Sequence, residues 1–129
     1  MQHRSILLAE DNPGLRDLYS YLLRADGFEV TAVEDGEEAL DKLSVTKPDA
    51  VVTDLNMPHM DGVELIQWIR SQDDMVGLPV IAMTSYMENM KLRAEIAGAT
   101  KIINKPTNNQ ICLEINQMLA GRDLLLGNT

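Results

Sequence analysis

Asp54 is the residue whose position most clearly indicates chemistry in this sequence. It follows the apolar run Ala50 to Thr53, which lies between Pro48 and a loop that contains Pro58 and Gly62. Such a run predicts a buried parallel strand, and the carboxyl ends of strands in an open α/β sheet face the crevice where ligands bind. Asp54 is therefore a candidate for chemistry, although aspartate is also a common turn residue.

Polar residues follow three further predicted strands. Glu10 and Asp11 come after the first apolar run, Thr84 ends the fourth, and Lys105 comes after the fifth. Each of them alone has a simpler explanation, as a helix cap or as a solvated side chain. A random arrangement would scatter them over both ends of a sheet, so their common position favours a single site.

The elements that must position these residues alternate along the chain. Short apolar runs predict strands at Ser5 to Ala9, Phe28 to Val33, Ala50 to Thr53 and Leu78 to Met83, and a fifth short strand around Ile102 and Ile103 within Lys101 to Asn104. Apolar residues at helical spacing predict a helix after each strand, the fifth running from about Asn108 to Ala120. This alternation predicts a doubly wound α/β fold, with a five-stranded parallel sheet in the flavodoxin-like order 2-1-3-4-5 and five helices on both faces.

In this strand order the first and third strands are neighbours, so Glu10 and Asp11 face Asp54. Two unit charges about 4 Å apart repel by about 1 kcal/mol in water and by about 4 kcal/mol at an effective dielectric constant of about 20. A raised pKa, a nearby cation or a bound metal ion would each relieve this repulsion. Ligands that are all oxygen favour a hard ion such as Mg²⁺. Lys105 supplies a cation at the same end of the sheet, and Thr84 supplies a hydroxyl.

The composition fits one globular domain. The chain has 129 residues, of which 45% are hydrophobic and 24% charged, and no apolar run approaches the roughly 18 residues of a membrane span. The first apolar run is too short for a secretory signal, so we expect a cytoplasmic location. The net charge of -9 argues against direct binding of nucleic acid. We assign residues 1–121 to the domain and residues 122–129 to a C-terminal tail or truncated linker.

As a set, these residues resemble the receiver domain of two-component response regulators, over nearly the whole length to Gly121. The motifs that carry the resemblance are Glu10-Asp11, Asp54, Asn56-Met57-Pro58, Met60-Asp61-Gly62, Thr84 and Lys105-Pro106.

The resemblance implies an acceptor and a metal site. Asp54 corresponds to the residue that accepts a phosphoryl group from a sensor histidine kinase or a histidine phosphotransfer protein. Asp11, Asp54 and the main-chain carbonyl of Asn56 correspond to ligands of Mg²⁺, for which Mn²⁺ is expected to substitute. Glu10 corresponds to the other member of the acidic pocket, acting through water.

The resemblance also implies a switch rather than a conventional enzyme. Lys105 corresponds to the lysine that contacts the phosphoryl oxygens, and Thr84 to the hydroxyl that moves toward them; the bond before Pro106 is implied to be cis. Such a domain catalyses its own aspartyl phosphorylation and a slow autodephosphorylation. Its signal is expected on the fourth helix, fifth strand and fifth helix, where a partner, an effector domain or a second phosphorylated copy would bind.

Two positions near the site bear on this switch. Ile102 stands where the family usually has Tyr, Phe or His, so we do not expect a readout by a moving aromatic ring. Tyr86 is expected to overhang the pocket and limit access of water. Of the nearby loop residues, we expect His59 to be merely exposed and Asp61 to cap the third helix.

Three alternatives make different demands on the same residues. A phosphohydrolase of the haloacid dehalogenase type also uses an aspartate at a strand end, but it needs a second aspartate where Asn56 stands. A flavodoxin that binds FMN needs a phosphate-binding loop where the acidic Glu10 and Asp11 stand. A receiver that binds partners without phosphorylation would not need the intact acidic pocket.

Overall fold

The structure is a computed structural model that describes residues 4–85, 88–105 and 109–125. Strands and helices alternate in it, with a short 3₁₀ helix at Asp73–Met75 before the fourth strand. The bounds are β1 (Ser5–Ala9), α1 (Pro13–Ala25), β2 (Glu29–Val33), α2 (Gly36–Leu43), β3 (Ala50–Asp54), α3 (Gly62–Ser71), β4 (Val80–Thr84), α4 (Glu88–Ala97), β5 (Lys101–Asn104) and α5 (Asn109–Leu125). Within the described residues, none of the helices combines the length and apolar character needed to cross a bilayer.

The five strands form one parallel sheet in the order β2-β1-β3-β4-β5. This confirms the predicted flavodoxin-like fold class and strand order. Ala9 is paired with Thr53, and Asp54 is paired with Met83, so β1, β3 and β4 end at nearly the same level. Residues that follow these strands therefore emerge together at one edge of the sheet.

The hydrophobic core has two layers, one on each face of the sheet. Residues of α2, α3 and α4 pack on one face, and residues of α1 and α5 pack on the other. All five residues of β3 are buried, with Val51 in the first layer and Val52 in the second. Burial on both faces explains why this strand reads as a continuous apolar run, and the helices on both faces agree with the prediction.

Capped helices begin directly beside the strand ends. Asn12 Oδ1 accepts a hydrogen bond of 3.0 Å from the backbone N–H of Leu15 at the start of α1, where Pro13 fits the first turn. At the start of α3, Asp61 Oδ1 accepts from the N–H of Glu64 (2.9 Å), and Glu64 Oε1 accepts from the N–H of Asp61 (3.2 Å). The capping role predicted for Asp61 is confirmed.

The last helix is longer than predicted. We expected α5 to end near Ala120, but it continues to Leu125. Arg122 Nη1 donates a hydrogen bond of 3.3 Å to the carbonyl of Asp49, and Asp123 forms an ion pair with Arg4. These contacts hold the last turns of α5 against the amino-terminal ends of the strands. The domain boundary at residue 121 stays a prediction.

The first residue of α3 lies in direct contact with the end of β3. The backbone N–H of Gly62 donates to the carbonyl of Leu55 (3.1 Å), and a Cβ on Gly62 would lie 2.3 Å from the carbonyl oxygen of Asp54. A residue without a side chain is needed for this approach. Gly62 therefore fixes how closely the helix packs on the segment that carries Asp54.

Gly62→Ala should lower the free energy of unfolding by roughly 1–3 kcal/mol, because backbone atoms must move to admit the methyl group. Urea unfolding followed by circular dichroism measures this loss. Gly121→Ala is the matched control: a Cβ there meets nothing within 4 Å, and alanine in a helix should stabilise the protein by up to about 1 kcal/mol. Equal stabilities for the two variants would contradict the role of the close approach.

Candidate functional site

The three acidic residues predicted from the sequence meet at the ends of β1 and β3. One carboxylate oxygen from each of Glu10, Asp11 and Asp54 lies within 4.8 Å of the others. Glu10 is completely buried and Asp54 is 4% exposed, whereas Asp11 is exposed to solvent. Asp11 and Asp54 line an open cleft of about 450 Å³, and Glu10 is buried next to them.

Backbone hydrogen bonds hold the two buried acids. The N–H of Glu10 donates to the carbonyl of Val33 on β2 (3.0 Å), and Glu10 Oε2 accepts from the N–H of Asn12 (3.1 Å). Asp54 Oδ1 accepts from the N–H of Asn56 (3.2 Å). The loop after each strand therefore binds one oxygen of each carboxylate and leaves the other oxygen for a different partner.

Lys105 places its ammonium group between these two acids. Its Nζ lies 2.6 Å from Glu10 Oε1 and 2.9 Å from Asp54 Oδ2. The backbone N–H of Lys105 donates to the carbonyl of Thr84 at 2.8 Å, which holds the residue against the end of β4. A buried charge without a partner is strongly destabilising, so the lysine and the two acids depend on one another.

Burial and ion pairing act in opposite directions on the pKa values of this group. Burial raises the pKa of Glu10 to about 7; the contact with Lys105 lowers it, but by less, and the charge of Asp54 raises it further. Burial lowers the pKa of Lys105, but its bonds to Glu10 and Asp54 outweigh that effect and the net shift is upward. Near neutral pH, Lys105 is therefore charged and Glu10 is partly protonated.

The other predicted site residues lie at the same end of the sheet. Thr84 is buried at the end of β4 and is not among the described residues that line the cleft, whereas Asn56 does line it. Ser85 also lines the cleft and was not predicted, although its position directly after a strand was a usable signal. The predicted cis bond before Pro106 and the predicted overhang of Tyr86 lie outside the described residues.

The residues of the cleft fit a hard divalent cation. Glu10 Oε1 is buried and lies 2.6 Å from the ammonium of Lys105. Together with Asp11 and Asp54 it offers only oxygen donors, which Mg²⁺ prefers. One lysine does not balance three carboxylates, so a further cation would be stabilised here.

The structure corrects the prediction for His59, which is more than an exposed loop residue. Its Nδ1 lies 2.8 Å from Asp35 Oδ2, and Asp35 Oδ1 caps α2 by accepting from the N–H of Glu38 (2.9 Å). The N–H of Gly36 also donates to the carbonyl of Met60 (3.1 Å). The contact raises the pKa of His59, while the bond from Glu38 and then the contact with His59 lower the pKa of Asp35. The loop after β3 is thus bound to the start of α2.

Comparisons with known proteins agree with this geometry. The family described as the response regulator receiver domain matches residues 6–116. The polar-differentiation response regulator DivK of Brucella anthropi is 32% identical over 104 residues, which cover 80% of this chain and 85% of DivK.

The receiver domain of a signal transduction histidine kinase from Syntrophus aciditrophicus has a TM-score of 0.86 and 32% identity, covering 92% of this chain and 91% of that one. The receiver domain of the sensor histidine kinase PA1611 from Pseudomonas aeruginosa, with a magnesium ion coordinated in its active site cleft, has a TM-score of 0.85 and 30% identity, covering 93% of this chain and 99% of that one.

Glu10→Gln should change how stability depends on pH in metal-free protein. Folding raises the pKa of Glu10 from 4.5 to about 7. The stabilisation that comes from this shift is fully present below the unfolded pKa of 4.5, and it is lost as the pH rises through the folded pKa of about 7. Glutamine does not titrate. The free energy of unfolding of the variant, relative to wild type, should therefore increase by on the order of 2 kcal/mol from about pH 5 to about pH 8. Urea unfolding in EDTA measures it, and a difference that does not change with pH would argue against the raised pKa.

Proposed function

Because this chain belongs to the response regulator receiver domain family, we propose that it is a phosphorylation-dependent switch of a two-component system with Asp54 as the phosphoryl acceptor. Receiver domains take phosphoryl groups from histidine kinases and act on effectors. The observation that carries the proposal for Asp54 is its position in the cleft, next to Lys105 and within 4.8 Å of two further carboxylates.

The proposed reaction moves a phosphoryl group from a histidine of a sensor kinase or a phosphotransfer protein to a carboxylate oxygen of Asp54. The new O–P bond forms as the N–P bond breaks, and the departing imidazole takes up a proton from solvent. Nucleophile and phosphoryl group are both negative, so the attack needs positive charge beside the transferring oxygens. Lys105, with Nζ 2.9 Å from Asp54 Oδ2, is placed to provide it.

We propose that Asp11, Asp54 and the main-chain carbonyl of Asn56 hold Mg²⁺, with Glu10 acting through water, and that Mn²⁺ substitutes. When bound, the ion supplies further positive charge for the transferring oxygens. The cluster of three carboxylates supports this assignment, because the single ammonium of Lys105 does not balance them. The magnesium ion in the related receiver of PA1611 is independent support.

Thr84 is proposed to transmit the change. It is buried at the end of β4, and its carbonyl accepts the 2.8 Å bond from Lys105. A hydroxyl that moves toward a new phosphoryl oxygen would shift this part of the sheet and with it the surface of α4, β5 and α5. That surface is proposed to bind a partner, an effector domain or a second phosphorylated copy. Ile102 in β5 packs against the core and offers no aromatic ring for the readout.

In this proposal the domain is not a conventional enzyme, because the product stays attached to the protein. Each molecule catalyses its own labelling on Asp54 and a slow hydrolysis of the acyl phosphate. The net charge of -9 suits a basic partner surface and not nucleic acid. We place the protein in the cytoplasm, where a phosphohistidine donor of this kind would meet it.

Asp54→Asn should abolish Mg²⁺-dependent labelling by acetyl phosphate, because the amide does not attack the phosphoryl group. Mass spectrometry of the intact protein measures the added group. Asp61→Asn is the matched control: it makes the same change at the end of the loop that follows Asp54, and asparagine caps a helix about as well as aspartate, so labelling should equal that of wild type. Labelling of Asp54→Asn at wild-type stoichiometry would refute the assignment.

A further inference from the structure

Arg16 links α1 to the acidic turn, which is formed by Glu10 and Asp11 after β1. The proposed phosphoryl transfer does not by itself require this link. The residue is half-buried in the first turns of α1, and its Nη1 donates a hydrogen bond of 2.9 Å to the carbonyl of Glu10. The same nitrogen lies 3.5 Å from the carbonyl of Asp11. The guanidinium group therefore binds the carbonyl of Glu10 and lies at the outer limit of hydrogen-bond distance from the carbonyl of Asp11, and the side chains of both residues enter the acidic cluster.

We propose that Arg16 is a positioning residue for Mg²⁺, a role that rests on the metal site proposed above. The acidic turn is already held by the bond from the N–H of Glu10 to Val33 and by the bond from the N–H of Asn12 to Glu10 Oε2. The bond from Asn12 orients the planar peptide group between Asp11 and Asn12, but neither bond orients the peptide group between Glu10 and Asp11. By binding the carbonyl of Glu10, Arg16 sets this peptide plane, which precedes the Asp11 Cα, and so aims the exposed Asp11 carboxylate at the cleft.

Two effects of Arg16 on a bound cation have opposite signs. The positive charge of the guanidinium repels Mg²⁺, so charge alone predicts tighter binding when Arg16 is removed. Positioning predicts weaker binding, because Asp11 would then sample directions away from the site. Arg16 is only half-buried, so its charge effect on the cation is screened by solvent and salt, whereas loss of a residue that orients a metal ligand typically weakens affinity about 10- to 100-fold. Positioning therefore outweighs repulsion.

Arg24 provides a matched control on the same helix. It lies two turns further along α1 and is exposed, and its Nη2 donates 3.1 Å to the carbonyl of Val30 on the edge strand β2. Arg24→Met removes the same charge and one bond to a backbone carbonyl, but it does not touch the acidic turn. A difference between the two variants thus reports the contact of Arg16 with Glu10 and Asp11.

Isothermal titration calorimetry with Mg²⁺ at constant ionic strength tests the proposal. We expect Arg16→Met to weaken the affinity about tenfold, Arg16→Lys to weaken it less, and Arg24→Met to stay within about twofold of wild type. Urea unfolding in EDTA should give similar stabilities for Arg16→Met and Arg24→Met, so that general destabilisation does not account for the change in affinity.

Affinity of Arg16→Met equal to or tighter than that of wild type would overturn the positioning role while leaving the proposed metal site intact. If wild type itself does not bind Mg²⁺, the proposed metal site fails, and the role of Arg16 fails with it. If Arg16→Met does not fold, Arg16→Lys decides the question, because it keeps the charge but its side chain ends one bond short of the Nη1 that binds the carbonyl of Glu10. Wild-type affinity in Arg16→Lys would then overturn the role.

Discussion

The structure depends on one buried contact, in which the ammonium of Lys105 lies 2.6 Å from Glu10 and 2.9 Å from Asp54. Burying any of these charges alone would be strongly unfavourable, and each of the three is at least nine-tenths buried. The contact joins the ends of β1, β3 and β5. It balances only part of the negative charge, because Asp11 adds a third carboxylate at the edge of the cleft. The same arrangement thus keeps the site folded and leaves it receptive to a cation and a phosphoryl group.

The sheet brings the strand ends to one edge, and the loops after the strands orient the side chains of the site. Parallel pairing brings the ends of β1, β3 and β4 to one edge, but it does not determine where a side chain points. That is set by short-range bonds: Asn12 and Asn56 each donate a backbone N–H to a buried carboxylate, and Gly62 brings α3 against the end of β3. The loop after β3 is also bound to α2 through His59 and Asp35. A site made of strand ends and the loops after them is therefore held on several sides by rigid elements.

The sequence predicts the strands, because strands that are buried on both faces appear as continuous apolar runs. It also predicts that the acids and the lysine converge, because right-handed crossovers bring the ends of parallel strands to one edge of the sheet. Contacts between side chains distant in sequence could not be predicted. His59 and Asp35 are 24 residues apart, and no sequence pattern predicts that their side chains are in contact. The last turns of α5 contact the sheet through Arg122, whose Nη1 donates to the carbonyl of Asp49, and helical periodicity does not predict such a contact. Arg16 reads as an ordinary polar residue of an amphipathic helix, and its bonds to two carbonyls become visible only in three dimensions.

The most direct test of the central contact is the stability of Lys105→Met in EDTA and in saturating Mg²⁺. Removing the ammonium leaves Glu10 and Asp54 without their counter-charge, so we predict a loss of roughly 3 kcal/mol in EDTA. Mg²⁺ should make this loss smaller, because the variant, which lacks the competing ammonium charge, binds the cation more tightly than wild type and gains more stability from it. Lys101→Met, which removes an exposed lysine paired with Glu114 at 3.6 Å, should change stability by less than about 1 kcal/mol. If Lys105→Met is as stable as wild type in EDTA, the buried lysine does not hold the acidic site together.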